Sequence, residues 1–180
     1  MNTEPQLDDP ALDKMSYEPE EGQIYVACLA SYNAGRLHGS WITPANDEEK
    51  LLAQIDKILK KSPEPNAEEW AIHDYSNFPN LGEYPSVSNI VKVREAQKKH
   101  GVNEINAFLS LYQIDDLESF EDSYSGEYES FSDYSNQLAD DCFNASDTHY
   151  FDYDAFERDC HFDCQEVKAP DYKVYIFRQF

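Results

Sequence analysis

The feature that most constrains this chain is the stretch 115–163, which carries sixteen carboxylates and a single basic side chain, Arg158. Sixteen acids less one base give −15 of the formal net charge of −22. Residues 45–114 hold eleven acids and eight bases, so the charge is polarised along the chain. A domain of this size needs a net charge of only about 2 to 8 for solubility, and self-repulsion destabilises a compact state. The excess indicates either a strongly basic partner or a halophilic or merely very soluble protein.

Apolar residues continue through the acidic stretch at helical spacing. They predict helices over 131–142 and 152–164, each with an aromatic inner face and a carboxylate outer face. After Lys173, residues 174–177 (VYIF) are β-branched or aromatic, so 173–177 is predicted to form a closing strand. Apolar residues make up 41% of the chain and aromatic residues 14%, which is enough for packed cores. The acidic stretch is therefore predicted to fold.

The first third of the chain predicts a small α+β unit. A buried strand over 24–30 is followed by turn residues and a returning strand over 37–42. Asn46 or Asp47 can cap a helix whose apolar face runs to Ser62. Residues 69–75 suit a third strand.

The middle of the chain predicts helices joined by short loops. Residues 78–85 form a loop, and 86–99 form a helix that Gly101 ends. Two shorter helices are predicted over 103–112 and 115–122.

These patterns predict an elongated α+β chain of three small consecutive units. A flexible acidic leader, 1–21, precedes an N-terminal unit, 22–80, with a small antiparallel sheet and a helix. A helical middle unit, 81–122, and an acidic C-terminal α+β unit, 123–180, follow. The sequence has no signal peptide and no apolar run of about 18 residues, which predicts a cytoplasmic protein without a membrane span and with reduced cysteines.

Metal and catalytic sites receive weak support. Asp152 and Asp154 alternate as calcium ligands do, but no glycine follows at mid-loop. Cys160 and Cys164 could hold zinc together with Cys142 and His149. Their spacing is not the short Cys-x2-Cys spacing of structural zinc sites, and cysteines that simply pack in a core are commoner. Neither a nucleophile elbow, a phosphate-binding glycine loop nor a His-Glu-x-x-His motif occurs. We therefore predict no catalytic residue, no metal and no cofactor. A metal-dependent hydrolase that uses the acidic residues ranks third, after the two binding functions described below.

A folded face that carries many carboxylates could also bind a basic surface of another protein. Duplex DNA presents one negative charge per about 1.7 Å of its axis, and DNA-binding proteins pair Lys and Arg with these phosphates. A rigid face with carboxylates at comparable density could occupy the same basic groove; the alternative is a merely solvated face. The predicted partner-binding carboxylates are Asp115, Asp116, Glu118, Glu121, Asp122, Glu127, Glu129, Asp133, Asp140, Asp141, Asp147, Asp152, Asp154, Glu157, Asp159 and Asp163.

Several blocks, in order, closely resemble the ArdA antirestriction proteins. The likeness covers roughly residues 23–177. The blocks are 24–33 (IYVACLASYN), 37–42 (LHGSWI), 67–75 (AEEWAIHDY), 81–84 (LGEY), 124–128 (YSGEY), 151–159 (FDYDAFERD) and 174–177 (VYIF).

The resemblance implies a protein that is not an enzyme and that imitates bent DNA with its carboxylates. Its implied partners are the DNA-recognition and methyltransferase core of type I restriction-modification enzymes, and a second copy of itself joined through the C-terminal unit. Direct binding of nucleic acid or membrane is not expected. The implied role is protection of an incoming plasmid or transposon. The acidic leader and the pair Cys160 and Cys164 depart from the family pattern.

The main alternative is an acidic interaction module. It would bind another basic nucleic-acid-binding protein, such as a nucleoid protein, without blocking restriction.

Overall fold

A computed structural model describes residues 21–147 and 149–180, apart from the side chain of Asp147. The predicted leader, 1–21, lies outside the described residues except for Glu21. The described chain has two small antiparallel sheets and seven α-helices, which confirms the predicted α+β class. The predicted division into three units stays a prediction.

The first sheet has the strand order β2-β1-β3. Its strands are β1 (Gln23–Cys28), β2 (Gly39–Ile42) and β3 (Trp70–Ser76), all antiparallel to their neighbours. The predicted hairpin and third strand are confirmed, but β1 ends two residues early. A short helix, α1 (Leu29–Asn33), begins there and buries Ser31, whose hydroxyl lies 2.8 Å from that of Ser62.

The predicted first long helix is α2 (Glu48–Leu59). Asp47 caps it by accepting a hydrogen bond of 2.9 Å from the Lys50 amide. Its apolar side chains lie one turn apart, so one face packs on the first sheet while the acidic first turn stays exposed.

Two long helices follow, α3 (Val87–His100) and α4 (Val102–Leu111). Gly101 separates them with a φ of +106°, a backbone conformation that favours glycine. The helix predicted over 115–122 is confirmed as helical, but it divides into two segments. The Gln113 amide donates to the Asp116 carboxylate and opens a 3₁₀ helix, Ile114–Ser119, before the four-residue α5 (Phe120–Ser123).

The second sheet has the order β4-β6-β5. Helix α6 (Phe131–Phe143) and helix α7 (Tyr153–Asp163) confirm the two predicted acidic helices, and β6 (Val174–Arg178) confirms the closing strand. The outer strands β4 (Tyr124–Tyr128) and β5 (Cys164–Lys168) were not predicted. Both are short and largely polar, and they form because β6 pairs with each.

Alternate residues of β6 face two different apolar clusters. Tyr175 and Phe177 belong to a cluster that continues through α3 and α4 to the first sheet. Val174 and Ile176 belong to a smaller cluster beneath α6 and α7. The two acidic helices therefore cover the opposite face of the second sheet from the middle helices.

Candidate partner-binding surface

The predicted carboxylates lie predominantly at the surface. Of the fifteen whose side chains are described, twelve are exposed, and only Asp116, Asp140 and Glu157 are half-buried. The structure does not describe the side chain of Asp147. Because none of the fifteen is buried, folding leaves these carboxylates accessible to a partner.

Two lysines neutralise three of these acids. The Lys99 ammonium lies 2.6 Å from the Glu121 carboxylate, and its hydrogen bond and charge lower the pKa of Glu121. Lys173 lies 2.8 Å from Glu127 and 3.9 Å from Glu129, and the hydrogen bond with Glu127 raises the pKa of Lys173. Both lysines lie outside the stretch 115–163, at its margins.

Four more acids accept hydrogen bonds that shape the backbone. Asp116 and Asp152 accept from the amides of Gln113 and Ala155, both at 2.9 Å. Asp133 accepts from the hydroxyl of Ser130, and Asp140 accepts from the Ser146 amide and the Tyr153 hydroxyl. Asp152 is the N-cap of α7, Asp116 belongs to the capping box of the 3₁₀ helix, and Asp140 holds the turn after α6.

The remaining eight acids form neither a hydrogen bond nor an ion pair with any described residue. The only base within the stretch, Arg158, is exposed and forms no ion pair with described residues either. The eight are Asp115, Glu118, Asp122, Asp141, Asp154, Glu157, Asp159 and Asp163.

Helices α6 and α7 pack against each other and concentrate the charge. Between them lies an open cleft of about 350 Å³, which Asp140, Asp154 and Glu157 line together with Tyr153. Asp159 and Asp163 lie one turn apart on α7, so they share a face. Carboxylates therefore lie both within the cleft and along the flank of the helix.

The cysteine cluster is part of the core. Cys160 and Cys164 are buried in the cluster beneath α6 and α7, and the Cys164 sulfur lies 3.4 Å from the Tyr134 hydroxyl. Burial raises the pKa of the Cys160 thiol, and neighbouring carboxylates add to that shift. Cys142 is exposed. Across residues 21–147 and 149–180, no three His, Cys, Asp or Glu side chains come close enough together to hold a metal ion.

Sequence reasoning missed a second concave site. An open cavity of about 680 Å³ lies beside β3, and Tyr32, His73, Asp74 and Glu83 contribute to its walls. These residues come from α1, β3 and the loop after β3, so no single motif marks them.

Within the described part of the chain, none of the helices has the length and apolar character needed to cross a membrane.

The fold and the surface define a protein whose accessible chemistry is a dense set of carboxylates on a small α+β scaffold. A sequence model of the family described as antirestriction protein (ArdA) matches residues 24–171. The chain therefore belongs to the ArdA family of antirestriction proteins. A search of curated proteins found no match. The family inhibits type I restriction enzymes, and membership supports an enzyme of that kind as the partner.

Proposed function

We propose that this protein inhibits a type I restriction-modification enzyme by imitating DNA with its surface carboxylates. The observation that carries the proposal is the set of eight carboxylates in 115–163 that have no described hydrogen-bond or ion-pair partner. A carboxylate that has no partner among the described residues is free to pair with a basic side chain of another protein. Competition for the DNA site of the enzyme would block restriction without any chemistry by the inhibitor.

The charge density of the packed pair α6 and α7 supports this mechanism. Helix α6 has 13 residues and is about 20 Å long at a rise of 1.5 Å per residue. Together with the N-cap residue of α7, the pair carries eight acids, which is about one per 2.5 Å of length, or about two thirds of the density of one per about 1.7 Å in duplex DNA. The acids are Asp133, Asp140, Asp141, Asp152, Asp154, Glu157, Asp159 and Asp163.

Basic DNA-binding grooves gain much of their affinity by releasing counterions from phosphates. A carboxylate surface of similar density would release its own counterions in the same groove. Such binding should weaken with salt and should spread over many replaceable acids.

We also propose that the protein acts in the cytoplasm as a homodimer joined through 123–180. Exposed aromatic side chains in this unit support an apolar contact, since Phe143, Phe162 and Tyr172 are 58%, 77% and 98% exposed. Sedimentation at several protein concentrations would test the dimer.

The mechanism can be tested by competition. A purified type I methyltransferase holds labelled duplex DNA, and this protein is titrated in at two salt concentrations. We expect stoichiometric displacement that weakens at the higher salt, because screening reduces the attraction. Asp159→Asn alone should change displacement less than about twofold, since the remaining acids are redundant.

A charge-matched pair of variants separates local charge from net charge. The test variant replaces Asp141, Asp154, Asp159 and Asp163 with asparagine, and the control replaces Glu49, Glu68, Glu69 and Glu95 with glutamine. Both variants remove four negative charges. None of the side chains replaced in either variant accepts a hydrogen bond from the residues that the structure describes. We expect the test variant to lose at least tenfold in displacement and the control less than twofold.

Equal losses in the two variants would contradict imitation by the acidic stretch and would indicate a general effect of net charge. A tenfold loss from Asp159→Asn alone, with folding intact, would indicate a localised site instead. Displacement of a nucleoid protein from DNA, without displacement of the methyltransferase, would favour the acidic interaction module.

A further inference from the structure

The cavity beside β3 is separate from the acidic stretch in sequence and in the elements that build it. We refer to it as the β3 cavity. Its walls come from Tyr32 at the end of α1, residues 72–75 of β3, Phe78, and three residues of the following loop, Asn80, Gly82 and Glu83. At about 680 Å³ it is open and large enough for a long side chain of another protein.

Hydrogen bonds hold the loop of the β3 cavity in place. The Ile72 amide donates to the Glu83 carbonyl at 2.9 Å, so the loop returns to β3. The Tyr75 hydroxyl donates to the Gly82 carbonyl, and the Gly82 amide donates to the Asn80 side chain at 2.9 Å. Gly82 has a φ of +86°, which favours glycine at this turn. The walls are therefore formed before a ligand arrives, which reduces the entropy lost on binding.

The charges in the β3 cavity favour a cation. Asp74 and Glu83 both line it, and no described Lys or Arg pairs with either carboxylate. The nearest basic group is the His73 ring, whose Nε2 lies 3.9 Å from the Glu83 carboxylate and is charged only if protonated. Two carboxylates would repel a phosphate or another anion.

Aromatic faces narrow the class of cation further. Tyr32 is 54% exposed and meets the His73 ring edge to face at 5.0 Å, which leaves much of the tyrosine ring open to solvent. A guanidinium group both stacks on aromatic rings and forms paired hydrogen bonds with carboxylates. A metal ion is not favoured, because nowhere in the described residues, this cavity included, do three His, Cys, Asp or Glu side chains converge as metal ligands would.

We propose that the β3 cavity binds an arginine side chain that the restriction enzyme presents beside its DNA-binding groove. The inference rests on the proposed function for the identity of the partner. It adds a discrete contact on the N-terminal sheet to the diffuse attraction of the acidic helices. The arginine would stack on Tyr32 while its guanidinium donates to Asp74 and Glu83.

The site itself can be tested without the enzyme. The isotope-labelled full chain is titrated with ethylguanidinium, and ethylurea serves as the uncharged control of similar shape. We expect saturable NMR shifts at residues 72–83 below about 50 mM ethylguanidinium and none with ethylurea. The double variant Asp74→Asn with Glu83→Gln should abolish the shifts, and Tyr32→Ala should reduce them. No saturable response in the wild-type protein would overturn the proposal.

The enzyme then tests the assignment of the partner. In the methyltransferase competition, Asp74→Asn with Glu83→Gln should weaken displacement at least tenfold, and the matched control Glu49→Gln with Glu68→Gln less than twofold. One outcome is that the two double variants displace DNA equally well while neutralisation of the four acids of α6 and α7 still weakens displacement. In that case the proposed arginine contact is wrong and the proposed function stands. If wild-type protein displaces no DNA although ethylguanidinium binds, the proposed function fails and the restriction enzyme is the wrong source of the arginine.

Discussion

The ring of Phe108 in α4 meets the ring of Phe177 in β6 edge to face, with centroids 5.8 Å apart. Both side chains are fully buried, and Phe108 also contacts Phe120. This contact joins the middle helices to the sheet that carries the acidic helices. A single apolar cluster thus connects the first sheet with the second.

Phe108→Ala should lower the free energy of unfolding by about 3 to 5 kcal/mol, because it removes a large buried ring and leaves a cavity. Urea denaturation followed by circular dichroism would measure the loss. Leu37→Ala is the control, since Leu37 is 90% exposed and lies outside the proposed dimer contact, so its removal should cost less than about 0.5 kcal/mol. Similar losses from the two variants would contradict the role of Phe108 in joining the sheets.

Adjacent acids on α6 should differ in their effects on stability. Asp140 accepts from the Ser146 amide at 2.7 Å and from the Tyr153 hydroxyl at 3.3 Å, whereas Asp141 has no described partner. Asp140→Ala should therefore lower the free energy of unfolding by about 1 kcal/mol or more, and Asp141→Ala by less than about 0.5 kcal/mol. Equal losses in urea denaturation would show that the Asp140 contacts do not stabilise the turn.

Salt should stabilise the folded protein. The net charge of −22 makes the compact state repel itself, and added ions screen that repulsion. The Tm should rise when NaCl increases from about 0.02 to 0.5 M. The rise should be smaller in the variant that neutralises Asp141, Asp154, Asp159 and Asp163. A Tm that falls with salt would indicate that ion pairs such as Lys99 with Glu121 outweigh the repulsion.

Alkaline pH should destabilise the fold through two half-buried tyrosines. Burial raises the pKa of Tyr75 and of Tyr124 from 10 to about 12. The unfolded chain then releases these protons at lower pH than the folded chain, so the stabilisation is complete below pH 10 and is lost as the pH rises through about 12. Tyr124→Phe should reduce this loss in denaturation curves at several pH values. An unchanged pH dependence would contradict the contribution of Tyr124.

Local patterns were enough to predict most helices. The spacing of Leu51, Ile55 and Leu59 and the cap at Asp47 predict α2 because both signals lie within a few residues of each other. The same reasoning predicts α6 and α7. It did not predict that the helix over 115–122 divides, where the reciprocal hydrogen bonds of Gln113 and Asp116 open a 3₁₀ segment before α5. It also missed β4 and β5, whose polar residues form strands only because β6 pairs with them.

The α+β class, the resemblance to the ArdA family and the location of the charge all follow from the order of residues, since residue identity and short-range spacing carry all three. Only the tertiary structure decided which carboxylates remain without a partner. Lys173 neutralises Glu127 from 46 residues away, a contact that no local spacing encodes. The β3 cavity likewise requires Tyr32, at the end of α1, and Glu83, in the loop after β3, to line the same cavity. Such contacts depend on chain reversal and strand pairing, and these follow from burial of the common core.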